Sequence, residues 1–516
     1  MGVAEADQLE EIIERAENWP IWSADFAGGI DTGAAPQVGM YGKSAQDLEL
    51  YVAIRESDRK RIASIIEWDK DNKGRPYKVD PLGERISQAF SDLLYGEDPV
   101  WTAAAEQDQE MLTDMIEEND LPSEFRSAAA DASAEGEVWW RVYVDPDESE
   151  FPVLEFVSRL DVIPLFRGRK IVAAAFISVL YTQEVVVSEM KVTKYWRHIE
   201  IQTDGETRNL LYEGELGSLG KQVPLESREE TADLLEEWKH GLPYMLAGRV
   251  MNKRGRDFRL GISDYQGIQD HLLDLNEVRV IMAENARMSG KSRMVVPANA
   301  IDSEGKVDLG ADVIVDEGVE DFGQGTGTSR TGPWAVLEYT FQAEQLIAYK
   351  NDLVSDAMTR VGLAEQFMGG AKTNEGTATS GTALRTRLIP TTLAGSGKGR
   401  FWDAETPRMA LALQEVSAMP QAQGGCGQTW TEPGTAPSIT RSSVLPEDPQ
   451  EEVDLRIASV AGEVESVETA VRKLNPDWDD DQVEAELTRI REDRGEFGVG
   501  AKPGGAEEAE KDGAAA

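Results

Sequence analysis

Gly261-Ile-Ser-Asp-Tyr-Gln-Gly-Ile268 opens a stretch that runs to Trp402 and decides the architecture. Ser263 and Gln266 have the spacing of a capping box, in which two side chains three residues apart satisfy each other's backbone N–H groups. Apolar residues then fall at Ile268, Leu272, Leu275, Val278 and Met282, the period of one helical face, and no proline intervenes before Pro297. A helix from Asp264 to Met288 would be a rod of roughly 37 Å. A second rod is expected from Phe341 to Val361, with Leu346, Ile347, Leu353, Val354 and Met358 on one side. Between the rods, Met294–Pro297, Val313–Asp316 and Val336–Tyr339 read as β pieces, and Phe322–Trp334 as a mobile Gly/Thr/Ser-rich connection. A loop follows from Gly362 to Thr379, then a third helix from about Ser380-Gly-Thr382 that Pro390 should kink before it resumes through Phe401-Trp402 and Met409 to Val416. Two rods joined by a Gly-rich β excursion suit a ring with a channel better than a soluble enzyme.

The rest of the chain gives this centre an α+β setting. Residues 1–40 read as a weakly ordered arm with one short acidic helix, Ala6 to Asn18. Helices are expected over Asp47–Asp69, over Leu82–Tyr95 (opened by Pro81 and stopped by Gly96), over Thr102–Asn119 and over Pro122–Ala134. The pattern then turns to β: Gly136–Asp145, Phe151–Val157, Asp161–Phe166, Ile171–Thr182, Met190–Gln202 and Arg208–Glu213 read as one antiparallel meander, with turns at Arg167-Gly168 and Asp204-Gly205. Alternation along a strand places Trp139 and Trp140 on opposite faces, one expected in the core and one on the surface. A short helix over Glu229–Trp238 and an extended link over Leu242–Val250 lead to the first rod, and Gln428–Ser443 returns the chain to the β body. Three helices, Asp448–Ala461, Val464–Leu474 and Asp481–Arg494, form a separate unit before a Gly/Ala/Glu/Lys tail.

Composition excludes several classes. The 516 residues allow several domains, and their 41% apolar content is that of a globular protein. No run of 18 or more apolar residues exists, so no membrane helix is expected, and no secretory signal is visible at Met1-Gly-Val-Ala-Glu5. Cys426 stands alone and His198, His240 and His271 are far apart, so neither a disulfide nor a metal centre is expected, and no cofactor. Asp477, Asp479, Asp480 and Asp481 lack the glycine and terminal glutamate of a calcium loop and suit a helix N-terminus. The net charge of −43 argues against tight static binding of nucleic acid, which relies on neutralising phosphates. It does not argue against a surface past which DNA slides, and it also serves solubility.

No catalytic motif survives inspection. Gly290-Lys-Ser292 lacks the glycine five residues before Gly290, where Asn285 stands, and has its helix on the wrong side for a phosphate loop. Gly395-Ser-Gly-Lys-Gly399 has Gly after the lysine in place of Ser or Thr, and Gly323-x-Gly-x-Gly327 opens no helix. A nucleophile elbow, a zinc-protease helix and a Ser/His/Asp set are all absent.

Four phrases in order carry a family resemblance: Phe90-Ser-Asp-Leu-Leu-Tyr-Gly-Glu-Asp-Pro99, Gly261-Ile-Ser-Asp-Tyr-Gln-Gly-Ile268 with Leu275-Asn-Glu277, Ser380-Gly-Thr-Ala-Leu384, and Ser466-Val-Glu-Thr-Ala-Val471 with Leu474-Asn-Pro-Asp-Trp478. Over roughly 45–495 the chain resembles the portal proteins of tailed bacteriophages. The resemblance implies a homo-oligomeric ring, usually a dodecamer, at the portal vertex of the capsid in the virion, assembled in the host cytoplasm. Double-stranded DNA would pass through it during packaging and ejection. Its implied partners are the terminase motor, head-completion or adaptor proteins, and the major capsid and scaffold proteins, with no membrane. In that likeness 1–40 is an arm, 41–260 an α/β wing, 261–288 the first stem helix, 289–340 a small β-containing clip and 341–361 the second stem helix. Residues 362–379 are a tunnel loop, 380–445 the kinked long wing helix with returning strands, 446–497 a helical crown and 498–516 a disordered tail.

Lys372 is the one basic residue of the tunnel loop and the first candidate for touching phosphate; Gly362, Gly369, Gly370 and Gly376 would let that loop shift without strain. Arg279, Arg287, Lys291, Lys350 and Arg360 are further DNA-channel candidates, each set against a plain salt bridge with an acidic neighbour. Arg293, Lys306, Arg330 and Trp334 are candidates for partner docking at the clip. No enzymatic activity is expected. The alternatives are a nucleotide-dependent enzyme using Lys291 or Lys398, and another virion component such as a minor capsid or adaptor protein.

Overall fold

The computed structural model describes residues 12–13, 45–72, 74–187, 190–215, 218–255, 261–289, 293–295, 335–337, 343–364, 381–441, 456–460, 462, 465–475, 478 and 480–493. Most of the arm, the tail, the strand expected at Val313–Asp316, and Lys291, Lys306, Arg330, Trp334, Gly369, Gly370, Lys372 and Gly376 lie outside them. The chain divides into two compact units, Met1–Val444 and Leu445–Ala516.

The first unit mixes helices with antiparallel sheets, as the sequence reads. Its helical layer begins with α1 (Ala45–Arg55), α2 (Arg59–Ile65) and α3 (Trp68–Asp71). The sequence suggests one helix here. Ser57 and Glu67 break it in the left-handed region, and Asp58 accepts from the N–H groups of Lys60 and Arg61, a cap that competes with helix continuation. Helix α4 (Leu82–Tyr95) ends at Gly96 as read, and buries Leu82, Ile86, Phe90 and Leu94 at four-residue spacing. A strand, β1 (Val100–Thr102), displaces the expected start of the next helix, because it pairs with β13 (Ser438–Thr440). Helix α5 therefore spans Gln109–Glu118. Helix α6 (Leu121–Glu135) buries Ala128, Ala129, Ala130, Ala132 and Ala134, small side chains that let other elements approach closely.

The expected single meander is two sheets. Strand β2 (Glu137–Tyr143) lies between β3 (Val153–Ser158) and β10 (Ala247–Met251). After a 3-10 turn at Arg159–Asp161, β4 (Val162–Arg167), β5 (Lys170–Val187), β6 (Met190–Thr203), β7 (Glu206–Glu215) and β8 (Lys221–Val223) pair in chain order, with turns at Gly168 and Gly205. The Glu229–Trp238 helix does not form. Its span is a 3-10 turn at Glu229–Thr231 and β9 (Glu237–Trp238), where Trp238 pairs opposite Thr207 and donates its indole N–H to the Gln423 carbonyl at 2.7 Å. Trp139 and Trp140 do face opposite ways, but both are buried, at 0% and 1% exposure, because β2 is a central strand covered on both faces. Trp140 belongs to the core with α6, and Trp139 stacks edge-on to Phe176.

Helix α7 (Gln269–Ser289) starts five residues later than read. Ser263 Oγ accepts from the Tyr265 N–H and donates to the Ala134 carbonyl, Gly267 adopts a φ of +112°, and 263–268 is a turn. The rod is thus roughly 32 Å long. Short strands β11 (Arg293–Val295) and β12 (Ala335–Leu337) pair antiparallel, and α8 (Ala343–Val361) follows. Helix α9 runs unbroken from Gly381 to Ala418 through Pro390 and Pro407. The hydroxyls of Thr392 and Thr406 donate to the carbonyls four residues back. The phosphate-loop look-alike at Gly395–Gly399 is part of this helix, and its glycines admit Leu93 and Arg441.

In the second unit α10 (Val467–Leu474) packs on α11 (Asp480–Asp493) through Val471, Val483 and Leu487. Ser466 caps α10, and Asp480 and Asp481 open α11, where the helix dipole favours them. Residues 456–460 are helical.

Candidate nucleic-acid interface

Helices α7 and α8 form one core seam from Leu272, Leu275 and Val278 on the first and Leu353, Ala357, Met358 and Val361 on the second. The segment from Tyr77 to Pro81 straps this pair. Asn276 Oδ1 accepts from the Asp80 N–H at 2.6 Å and its Nδ2 donates to the Tyr77 hydroxyl at 2.9 Å. Asp80 Oδ2 then pairs with Arg279 at 2.8 Å and Lys350 at 3.0 Å, so one carboxylate brings together two of the sequence candidates from different helices. At the other end of the seam Asp356 receives His271 at 2.6 Å and Arg360 at 2.9 Å. Hydrogen bonds from His271 and then Arg360 hold its carboxyl below the usual range. Arg287 is exposed in the last turn of α7, and Arg293 opens β11.

Gly362 is the one tunnel-loop glycine among the described residues, and it terminates α8. Its φ is +83°, and its N–H and that of Leu363 both reach the Met358 carbonyl, at 3.1 and 3.0 Å. The next residue, Ala364, donates its N–H to Thr391 Oγ1 on α9 at 2.8 Å, tethering the two helices at that level.

Sequence reasoning missed the root of α7. Asp264, fully buried, accepts from Ser133 Oγ at 2.6 Å, pairs with Lys253 at 2.6 Å and contacts the Lys398 ammonium. Lys398, 1% exposed, also donates to Asn252 Oδ1 at 2.5 Å and sits 3.5 Å over the Phe90 ring. Burial pulls the Lys398 ammonium down to about 8 against the attraction of Asp264. Burial alone would raise Asp264, but the Lys398 and Lys253 charges hold it below the usual carboxylate range. Lys398 is therefore occupied inside the fold and cannot serve as a phosphate ligand. Beside the cluster, Gly136 and Gly261 cross so closely that a Cβ on Gly261 would lie 1.8 Å from the Gly136 oxygen.

Glu135, one residue before this crossing, accepts from Ser158 Oγ and the Arg159 N–H, both at 2.8 Å. Burial pushes its carboxyl up to about 8 from 4.5. The folded state therefore holds a proton that the unfolded state releases between those values, and Glu135 contributes stability that is full below pH 4.5 and lost as pH rises through 8. Glu135→Gln should be near neutral at pH 5 and increasingly stabilising relative to the parent toward pH 8 in urea unfolding. A difference that does not change with pH would contradict the assignment.

The sequence-family comparison decides identity. The model of the family described as "Phage portal protein, SPP1 Gp6-like" matches residues 79–498. The chain belongs to the phage portal protein family. This portal protein is accordingly a structural component of the virion, located at the portal vertex, and not an enzyme. No curated protein matches it. A chain in the virion of the native gene transfer agent particle is 10% identical, with a TM-score of 0.40 over 77% of this portal protein and 90% of that chain. A chain in the neck of the native gene transfer agent particle computed with C12 symmetry is 11% identical, with a TM-score of 0.39 over 77% and 89%. Among the described residues of this portal protein no helix is long and apolar enough to cross a membrane, and no group of His, Cys, Asp and Glu side chains could hold a metal ion.

Proposed function

We propose that the protein assembles into a homo-oligomeric ring at one capsid vertex and serves as the conduit for double-stranded DNA during packaging and ejection. The ring also docks the packaging motor and later the head-completion proteins. Family membership supports the ring, and the observation that carries the conduit is the α7–α8 pair: two antiparallel rods, strapped at Asp80 and Asp356, leading to the β11–β12 pair. In this reading α7 and α8 are the stem, 289–340 the clip, 362–379 the tunnel loop, α9 the wing helix and 446–497 the crown.

DNA meets a mostly acidic lumen with sparse basic points. Arg287 is one of these, exposed in the last turn of α7. Arg360 sits in an exposed ion pair, which contributes little and exchanges readily with a passing phosphate, whereas Arg279 and Lys350 share the mostly buried Asp80 carboxylate and present only their partly exposed outer atoms. Lys372 and Lys291 complete the proposed set, and Arg293, Lys306, Arg330 and Trp334 the docking set. Electron microscopy of the purified protein should show rings with a central hole near the width of duplex DNA, and Lys372→Glu should impair DNA packaging or retention. Absence of rings, above all a monodisperse monomer that turns over ATP, would overturn the reading, and unchanged packaging and retention would remove Lys372 from the channel.

A further inference from the structure

The segment from Gly381 to Trp402 departs from the charge of the whole molecule. It holds four basic residues, Arg385, Arg387, Lys398 and Arg400, and no acidic one, in a chain whose net charge is −43. Its inner face is accounted for: Leu388, Thr391, Lys398 and Trp402 are buried. Its outer face is not. Ile389 and Leu393, one turn apart, are 51% and 67% exposed, and Leu393 is the most exposed large apolar side chain among the described residues. Ser396, Gly397 and Arg400 continue the same face at three, four and seven residues beyond Leu393 and are also exposed. Around Gly397 there is open space, with nothing within 4 Å of where a Cβ would stand. The surface is apolar and small at one end and cationic at the other.

A second surface on the same unit complements it. Asp270, Asp274 and Glu277 stand at positions i, i+4 and i+7 of α7, all exposed, on the side away from the Leu272–Leu275–Val278 seam. Two different, complementary patches on one chain are what a head-to-tail contact needs, and such contacts close into rings when the rotation allows. Copies carrying a charge of −43 each also repel one another, so a face free of acid is where they approach at least cost.

We propose that the Ile389–Leu393–Arg400 face of α9 docks against the Asp270–Asp274–Glu277 stripe of α7 in a second copy of this chain. This rests on the ring reading given above. A DNA backbone would satisfy Arg400 but leave Ile389 and Leu393 in water, whereas the half-exposed Ile281, one turn beyond Glu277, continues the acidic stripe with an apolar side chain for them to meet.

The test uses purified full-length protein with the photo-crosslinker p-benzoylphenylalanine in place of Leu393. Electron microscopy of unmodified protein is run alongside. Rings in the microscope and an interchain crosslink mapping to Gln269–Ser289 are expected. Arg400→Glu should lower that crosslink yield several-fold, and adding Asp274→Lys should restore it. Because Leu393 is exposed, Leu393→Asp should fold as the parent does, by circular dichroism, yet populate fewer rings. Rings with crosslinks confined to one chain, or formed to added duplex DNA instead, would overturn the contact and leave the ring standing. Absence of rings in the unmodified protein would overturn both.

Discussion

Asp264→Ala should lower unfolding stability by about 3–5 kcal/mol, the range seen when one partner of a buried ion pair is removed. The loss does not come from the pair's attraction alone. With Asp264 gone, the Lys398 ammonium is left at 1% exposure with Asn252 and the Phe90 face as its remaining neighbours, and it must either shed its proton or draw in water. Lys253, whose side chain is partly exposed, can turn to solvent; Lys398 cannot. The Ser133 hydroxyl loses its acceptor as well. The reverse change is milder. Lys398→Met keeps an unbranched stem over Phe90, and Asp264 retains Lys253 and Ser133. Urea denaturation at fixed protein concentration, which linkage to assembly demands, reads the difference. Equal losses for the two variants, or a loss for Asp264→Ala below about 1 kcal/mol, would mean that the cluster is not the root of α7.

Trp402→Ala carries the second large effect, about 3–5 kcal/mol for truncating a large buried aromatic. The indole lies at ring-centroid distances of 5.2 Å from Tyr95, 5.8 Å from Phe125 and 6.0 Å from Phe156, so its removal opens a cavity bounded by α4, α6 and β3 together. Trp402→Phe should cost less, because part of the ring stacking survives. Lys398 and Trp402 are one helical turn apart, and they fix the same face of α9 by different means, one ionic and one apolar. The double variant Asp264→Ala/Trp402→Ala therefore reports whether the two act as one unit. Losses that add within about 0.5 kcal/mol would mark them as separate fixings of the helix. A Trp402→Ala variant with parent-like near-ultraviolet circular dichroism and an unchanged urea midpoint would contradict its place in the core.

What the sequence makes legible follows from how local each cause is. Leu82–Tyr95 and Ala343–Val361 carry their apolar residues at helical spacing, and both are found where the pattern puts them. The start of α7 is different. Ser263 and Gln266 have the spacing of a cap, yet Asp264 between them is claimed by Lys398, 134 residues away, and the turn at 263–268 forms instead. The alternation rule separates Trp139 from Trp140 correctly but says nothing of a layer on each side of β2. Ser158 to Asp161 gives no local sign that the strands before and after it belong to different sheets. The same limit applies to the candidate interface. Arg279 and Lys350 can be picked out as basic residues on rods, but their meeting at Asp80 depends on a strap from a distant part of the chain. The four family phrases carry identity across these gaps because they keep their order, whatever the geometry between them.

The hydrogen bond from Ala364 to Thr391 gives the intervening chain a fixed neck. Twenty-seven positions separate the two residues, and the helices on either side keep their relation through that neck whatever lies between. Closing a longer span over a fixed neck is cheap, since each doubling of length adds only about 0.6 kcal/mol of entropy. Insertions, deletions and wholesale replacement within 365–380 are thus separable from the fold that carries them. Changes within that stretch and changes to the frame around it are therefore expected to act independently.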